Sequence, residues 1–237
     1  REKECLFEKN KNLFSKFKNK IIHIATEDFP FKQPNIDTSK NEQWQNEYFQ
    51  RNLIKQGIER VNLSNEDILM ISDIDEIPDP DTLSLIKKMG LPEGSHGHLF
   101  SMPQEMYYYN LNNKFRTKWY GSKILTHKDF LAISEPCSKT RNARCPKLSG
   151  QYEKCGWHLS FFGDESFVQN KIQNFSEAQF NNETYTDLES IKSKIENNLD
   201  IFDRNIQTDY IEVTDNTYLP KSYDKYLQKY YFKANAV

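Results

Sequence analysis

A crowded run of carboxylates follows a short apolar stretch in the first half of the chain. Residues 73–81 read Asp-Ile-Asp-Glu-Ile-Pro-Asp-Pro-Asp and come directly after the strand-like stretch 67–72. Such crowding costs free energy unless positive charge lies nearby, and carboxylate oxygens suit Mg²⁺ or Mn²⁺, which can bridge to phosphate oxygens. Two carboxylates one residue apart leave a strand end on the same side. We therefore predict that Asp73 and Asp75 bind a divalent metal.

Three alternative roles for this acidic run fit the sequence less well. A solvated turn would have Asp79 capping a helix that begins at Pro80, and we expect that capping role for Asp79 in any case. A calcium EF-hand loop needs Gly at its sixth position, where this chain has Pro78. A metal-dependent phosphohydrolase would need further Asp or His motifs for a second metal, and the sequence offers none with suitable spacing. The metal-binding interpretation is therefore favoured.

The surrounding sequence predicts alternating strands and helices that position the acidic run. The stretch 67–72 has the continuous apolar character of a central strand covered on both faces. Alternating elements in the first half and a strand-rich second half predict a single α/β domain over 1–237, with ligands at the carboxyl ends of its strands. The other predicted strands are 20–25, 97–109, 118–126 and 156–162, and the predicted helices are a capping-box helix over 39–57, one from Pro80 to Gly90, and two that begin near Asp164 and at Thr186.

Composition excludes some classes of function. The formal net charge is −2, and no basic stripe alternates with aromatic residues, which argues against nucleic acid as a partner. No apolar run approaches the roughly 20 residues of a membrane-spanning helix. The four cysteines lack the paired spacing of a zinc site, and either free thiols or a Cys137–Cys145 or Cys145–Cys155 disulfide fits their positions.

Three segments, taken in order, resemble one family of enzymes. They are 42–52 (Glu-Gln-Trp-Gln-Asn-Glu-Tyr-Phe-Gln-Arg-Asn), 72–78 (Ser-Asp-Ile-Asp-Glu-Ile-Pro) and 156–163 (Gly-Trp-His-Leu-Ser-Phe-Phe-Gly). They are similar to glycosyltransferase family 17, which includes the β-1,4-mannosyl-glycoprotein N-acetylglucosaminyltransferase that adds the bisecting sugar to N-glycans. The resemblance runs from the first residues to about Asn181.

The resemblance implies a fold, a reaction and a set of ligands. It implies a GT-A glycosyltransferase fold, here lacking the family's first strand, with residues 1–110 as the nucleotide-sugar and metal half and 111–237 as the sugar and acceptor half. The implied reaction transfers a sugar with inversion from a UDP-sugar, UDP-N-acetylglucosamine in particular, to a glycan or glycoprotein acceptor. Mn²⁺ or Mg²⁺ is the implied cofactor. The compartment stays open between the secretory pathway and the cytoplasm.

Site residues carry over from the resemblance position by position. Asp73 and Asp75 match the D-x-D motif, and His158 matches a histidine that often contacts the metal or the diphosphate. Residues implied to face the donor are Arg51, Asp73, Trp119, Gly121 and Trp157. Two of these also fit ordinary structural roles, because Trp119 could belong to the core and Arg51 could form a helix-surface ion pair with Glu47, four residues earlier.

The general base is less clearly indicated than the metal ligands. An acid is expected shortly after the Gly-Trp-His strand, but Gln179 occupies that place. The base candidates are Glu177, Glu153, Asp164 and Glu165, with Glu177 favoured. The alternative is a catalytically impaired protein of the same fold that binds carbohydrate or nucleotide without turnover.

Overall fold

The computed structural model describes residues 4–92 and 94–232, without the side chains of residues 95 and 96. Strands β1 to β9 are Ile68–Ile71, Glu76–Pro78, Ser95–His98, Phe100–Ser101, Glu105–Tyr108, Asn113–Phe115, Lys123–Thr126, Gly156–Ser160 and Thr208–Tyr210. Helices α1 to α10 are Leu6–Asn10, Glu42–Asn52, Ile54–Ile58, Pro80–Met89, His127–Leu131, Pro136–Asn142, Glu165–Asn174, Glu183–Thr186, Leu188–Glu196 and Tyr223–Tyr226. Short 3₁₀ segments are Lys11–Lys20, Thr38–Lys40, Gly150–Tyr152, Ala178–Phe180 and Gln228–Tyr230.

The first sheet is antiparallel, has the order β1-β7-β4, and is covered on both faces. On one face Ile124 packs with Ile86 of α4, and on the other face Leu125 packs with Phe130 of α5. Ile124 and Leu125 follow one another in β7 and point to opposite faces of the sheet. They therefore belong to two separate hydrophobic cores. The result is a layer of strands between two layers of helices.

The second sheet is mixed and has the order β2-β8-β5-β6-β9. Strands β5 and β8 run parallel, whereas β2 pairs antiparallel with β8, and β6 pairs antiparallel with β5 and with β9. One face packs through Tyr108 and Phe161 onto Ile172 of α7 and Ile191 of α9. The other face buries Trp157, Leu159 and their neighbours under the C-terminal segment. The predicted α/β class is therefore confirmed as mixed sheets flanked by helices, and the GT-A arrangement stays a prediction.

Helix α4 begins as its sequence predicts. The Asp79 side chain accepts a hydrogen bond of 2.9 Å from the backbone N–H of Asp81, and Pro80 occupies the first turn. Ile86 is buried in the core under the first sheet, and Gly90 ends the helix with φ of +80°. The acidic run thus lies between β1, of which Ile71 is buried, and a capped helix.

Four strand predictions are wrong in whole or in part. The predicted strand 97–109 is divided among β3, β4 and β5, and 118–126 is a strand only from Lys123. Among the described residues β1 pairs only with β7, so it is an edge strand by hydrogen bonding although both of its faces are covered. Residues 21–29 form no strand in the described chain, and Ile22 and Ile24 lie against Gly57 instead. An apolar run predicts burial of side chains, and it does not predict how many strands lie alongside.

Two helix caps differ from their predictions. Asp37 caps the 3₁₀ segment Thr38–Lys40, because its carboxylate accepts from Ser39 N–H, and its own N–H donates to Glu42 at 2.7 Å. Asn41 stands at the N-cap of α2 without a side-chain capping bond. Asp187 rather than Thr186 caps α9, accepting from Ser190 N–H at 2.7 Å. In both cases a carboxylate close in sequence outcompetes a hydroxyl for the exposed N–H groups.

The four cysteines form no disulfide among the described residues. Cys5, Cys137, Cys145 and Cys155 are free thiols, so neither disulfide that their positions allowed is formed.

In the part of the chain that the structure describes, every helix falls short of the length and apolar character needed to cross a membrane.

Candidate active site

A buried carboxylate, Glu76, organises the turn between β1 and β2. Its side chain is fully enclosed, and it is held by four donors at short distances. Because a buried carboxylate is costly unless hydrogen-bonded and paired, these donors fix the shape of the turn. They are the Asp73 N–H at 3.0 Å, Trp119 Nε1 at 2.5 Å, Ser122 Oγ at 2.6 Å and Arg141 Nη2 at 2.5 Å.

Asp73 lies between two arginines. Its Oδ1 accepts from Arg51 Nη1 and its Oδ2 from Arg141 Nη2, each at 2.7 Å. Arg51 also donates to Glu47 at 3.0 Å, so the predicted surface pair exists but is one part of a larger network. Burial opposes ionisation of Asp73, but the two guanidinium groups outweigh it and lower the pKa of this carboxyl.

Asp75 faces a different pair of groups. Its Oδ2 lies 2.9 Å from Lys171 Nζ and 3.5 Å from His158 Nε2. Burial opposes ionisation here too, but His158 and Lys171 outweigh it, and the pKa of Asp75 lies well below its usual range. The Asp75 carbonyl accepts from Leu159 N–H at 2.9 Å, which ties this residue to β8.

The register of β2 and β8 brings His158 to the carboxylates. Glu76 pairs directly with His158 and Pro78 with Gly156. Gly156 has φ of +121°, and a side chain there would overlap the carbonyl oxygen of Ile77. The imidazole packs against Trp119, with 4.6 Å between ring centroids and 38° between ring planes.

Gly121 lies within the hydrogen-bond network around Glu76. A Cβ atom at this position would overlap Arg141, Trp119 and Glu76. The sequence predicted that Gly121 permits a close approach to a ligand, and in the structure it permits the close approach of three side chains. Any side chain at residue 121 would therefore displace the groups that hold Glu76.

The three predicted metal ligands do not form one cluster. Among the described residues no group of three or more His, Cys, Asp or Glu side chains is arranged to hold a metal ion. Asp75 Oδ2 and His158 Nε2 are close enough to share an ion, whereas Asp73 is turned towards the arginines. His158 Nδ1 is buried and lacks a hydrogen-bond partner in the described chain. Asp75 and His158 fit a metal as a two-residue set, and Lys171 occupies part of the space beside Asp75.

The cluster is neutralised by three cations, two of which the sequence did not suggest. Asp73, Asp75 and Glu76 carry three negative charges, and Arg51, Arg141 and Lys171 lie against them as counter-charges. Sequence reasoning missed Arg141 and Lys171, and it saw Glu76 only as part of the acidic run. Lys171 could have been suspected because α7 directly follows β8, but nothing in the sequence points to Arg141.

Several predicted residues lie away from this cluster. Trp157 belongs to the core, where its Nε1 donates to the Tyr218 carbonyl at 3.0 Å. Asp164 caps α7 by accepting from Phe167 N–H at 2.9 Å, and Glu153 is exposed. Glu177 is half-buried and accepts a hydrogen bond from Gln179. In the described chain none of the base candidates, Glu165 included, has a hydrogen bond or ion pair with Asp73, Asp75, Glu76 or His158.

Comparison with known proteins identifies the family of this chain but no individual relative. The sequence model of glycosyltransferase family 17 matches residues 1–213 of the 237-residue chain. Neither a curated protein nor a solved structure gives a significant match. The family match covers every residue of the carboxylate cluster and its counter-charges. The chain therefore belongs to glycosyltransferase family 17, which supports glycosyl transfer as its general activity.

Proposed function

We propose that this protein is an inverting, metal-dependent GT-A glycosyltransferase that moves N-acetylglucosamine from a UDP-sugar to a hydroxyl of a glycan or glycoprotein. The observation that carries the proposal is the convergence of Asp75, His158 and Lys171 beside the arginine-held Asp73, all on a family-matched chain. A diphosphate needs cations and hydrogen-bond donors, and this cluster offers both beside carboxylates that can hold a metal.

The charged side chains take separate roles in this proposal. Asp73 pairs with Arg51 and Arg141. Arg51 is the arginine that we assign to the donor, whereas Arg141 is buried against Glu76. The Lys171 side chain is about one-third exposed, and its ammonium lies over the Phe161 ring, 4.7 Å from the centroid. Such a partly exposed cation can shift from Asp75 to a phosphate oxygen when the donor enters. Trp119 and His158 form the wall next to these groups.

Asp75 and His158 would hold the metal, Mn²⁺ or Mg²⁺. When bound, the metal would stabilise the negative charge that develops on the departing diphosphate. Asp75 keeps its carboxylate ionised at all physiological pH values because its pKa is lowered. His158 can present an unprotonated Nε2, provided that its proton lies on Nδ1.

The transfer itself is a single displacement. The acceptor hydroxyl oxygen forms a bond to the anomeric carbon while the bond from that carbon to the diphosphate oxygen breaks. The hydroxyl proton passes to a carboxylate base, for which Glu177 is the favoured candidate. Asp164 is already used as a helix cap, whereas Glu177 is half-buried on the segment that follows α7, the helix that carries Lys171.

A second candidate function is binding without turnover. Gln179 stands where an acid was expected, and its amide donates a hydrogen bond to Glu177, so one oxygen of the favoured base is already engaged. A protein that has lost its base would bind the donor through the same charged cluster. This alternative predicts donor affinity with no release of UDP.

The test measures UDP binding by calorimetry with and without Mn²⁺, followed by UDP release from UDP-N-acetylglucosamine in water. The wild type is compared with Asp75→Asn and with Asp81→Asn, an exposed acid of the same run that pairs with Lys221. We expect metal-dependent binding that Asp75→Asn weakens at least tenfold and Asp81→Asn leaves unchanged. UDP binding that is indifferent to metal and to Asp75→Asn would refute the donor site, and binding without UDP release would favour the non-catalytic alternative.

A further inference from the structure

An open cavity lies beside the start of β7. Its volume is about 510 Å³, within the range of small-molecule sites. It lies between β4, the beginning of β7 and the loop after α6. The lining residues that matter are Ser101, Tyr120, Lys123, Arg144, Cys145 and Lys147.

The buried ammonium of Lys123 is the unusual feature of this cavity. The residue is only 5% exposed, and its Nζ donates to the Tyr120 carbonyl at 2.6 Å. Among the described residues no carboxylate lies within 4 Å of this ammonium. Burial accordingly lowers the pKa of Lys123. A buried cation without an ionic partner is costly, so an anion in the cavity would supply what the protein does not.

Two further cations line the same cavity. Lys147 places its Nζ 3.8 Å from the centroid of the Tyr120 ring, and Arg144 lies in the adjoining loop. In the described chain neither forms an ion pair with a carboxylate. The loop that carries them is fixed to β4, because Ser101 N–H donates to the Pro146 carbonyl at 2.8 Å and Leu148 N–H to the Ser101 carbonyl at 3.0 Å. Arg144 and Lys147 therefore lie on a loop that is hydrogen-bonded to β4.

The cavity adjoins the carboxylate cluster at the start of β7. Ser122, just before β7, directs its hydroxyl to Glu76, while the next residue, Lys123, lines the cavity. The counter-charges of the cluster are already paired with carboxylates, whereas Lys123, Arg144 and Lys147 have no such pairing in the described chain. A ligand bound at the carboxylate cluster would not give Lys123 an ionic partner.

We propose that this cavity binds a phosphate group, as free phosphate or as a phosphate ester, at a site separate from the Asp73, Asp75 and Glu76 carboxylates. Three cations favour a doubly charged oxyanion over a single carboxylate, and phosphate offers several acceptor oxygens to ammonium and guanidinium donors. The proposal does not depend on the identity of the sugar donor or on turnover.

Calorimetry with inorganic phosphate tests the site directly. We expect the wild type to bind phosphate and Lys123→Met to bind at least tenfold more weakly. Lys128→Met is the matched control, because Lys128 is exposed on α5. If Lys123→Met folds poorly, Arg144→Gln with Lys147→Gln removes two exposed cations instead and should also weaken binding. Equal phosphate affinity in the wild type and in these variants would overturn the proposal.

The thiol of Cys145 provides a local reporter. It lines the cavity, lies 3.3 Å from Ser101 Oγ and is partly exposed, whereas Cys137 and Cys155 are buried. In a Cys5→Ser background, phosphate should slow alkylation of Cys145 by iodoacetamide, and glucose 6-phosphate should do the same at lower concentration if the site takes an ester. UDP is itself a phosphate ester, so any protection by UDP should be the same in Asp75→Asn as in the wild type. Protection by UDP that Asp75→Asn weakens would place the cavity within the donor site and overturn the claim of a separate site.

Discussion

Arg141 Nη2 lies 2.7 Å from Asp73 Oδ2, although 68 positions separate the two residues in the sequence. The same nitrogen reaches Glu76 at 2.5 Å, and the Arg141 side chain is only 8% exposed. One guanidinium group from α6 therefore joins the turn after β1 to the buried acid of β2.

Replacing Arg141 should destabilise the fold. Arg141→Met leaves the buried Glu76 carboxylate without its ionic partner, and breaking a buried pair in this way costs about 3–5 kcal/mol. Urea unfolding of the two proteins measures the difference. The control is Arg60→Met, which makes the same chemical change at an exposed position. A loss of less than about 0.5 kcal/mol for Arg141→Met, the size of an ordinary surface change, would contradict this stabilising role.

Stability should fall in acid because of Asp73 and Asp75. The pKa of each carboxyl is lower in the folded protein than in the unfolded chain, where it is about 3.9. Their contribution is therefore fully present above the unfolded pKa and is lost as pH falls towards the folded values. Urea midpoints measured from about pH 6 down to about pH 3 should decline, and they should decline less steeply in Asp75→Asn. An identical pH dependence in the variant would exclude Asp75 as a contributor.

Removing Lys171 should strengthen the binding of Mn²⁺ alone. Its ammonium lies 2.9 Å from the Asp75 oxygen that the metal would use, so Lys171→Met removes a competing cation. We expect affinity to increase about tenfold, equivalent to about 1.4 kcal/mol. Calorimetric titration with Mn²⁺ measures it, with Lys192→Met on the exposed face of α9 as the control. Weaker Mn²⁺ binding in Lys171→Met would show that Lys171 supports the metal site rather than competing with it.

Glu177 and Asp164 should respond differently to removal of their charges. If Glu177 is the base, Glu177→Gln should lower the rate of UDP release by about 10²- to 10⁴-fold while UDP affinity stays constant. Asp164→Asn should instead cost about 1 kcal/mol or less of stability through its helix cap, with little change in rate. Steady-state kinetics and urea unfolding separate the two effects. An unchanged rate in Glu177→Gln would assign the base to another carboxylate.

Much of the fold could be predicted from local patterns. The apolar stretch before Asp73 is a strand, and Asp79 and Pro80 begin a helix that ends at Gly90. The second half was predicted to be strand-rich, but its described residues form three short strands and six helices, α5 to α10. The strand over 20–25 was not found, because its isoleucines pack on a helix instead of joining a sheet. Local sequence specifies which residues are buried, and the choice of neighbours depends on the rest of the chain.

The candidate site, like the fold, could be predicted only in part from the sequence. By itself the sequence determined the family, through three short segments in order, and the position of the acidic run after a strand. Only the tertiary structure decided which cation faces each carboxylate: Arg51 and Arg141 at Asp73, and Lys171 with His158 at Asp75. Arg141 and Lys171 are 68 and 96 positions from those acids, and no local periodicity relates residues so far apart. Secondary structure and motifs follow from short-range sterics and hydrogen bonding, whereas charge neutralisation follows from which distant elements pack together.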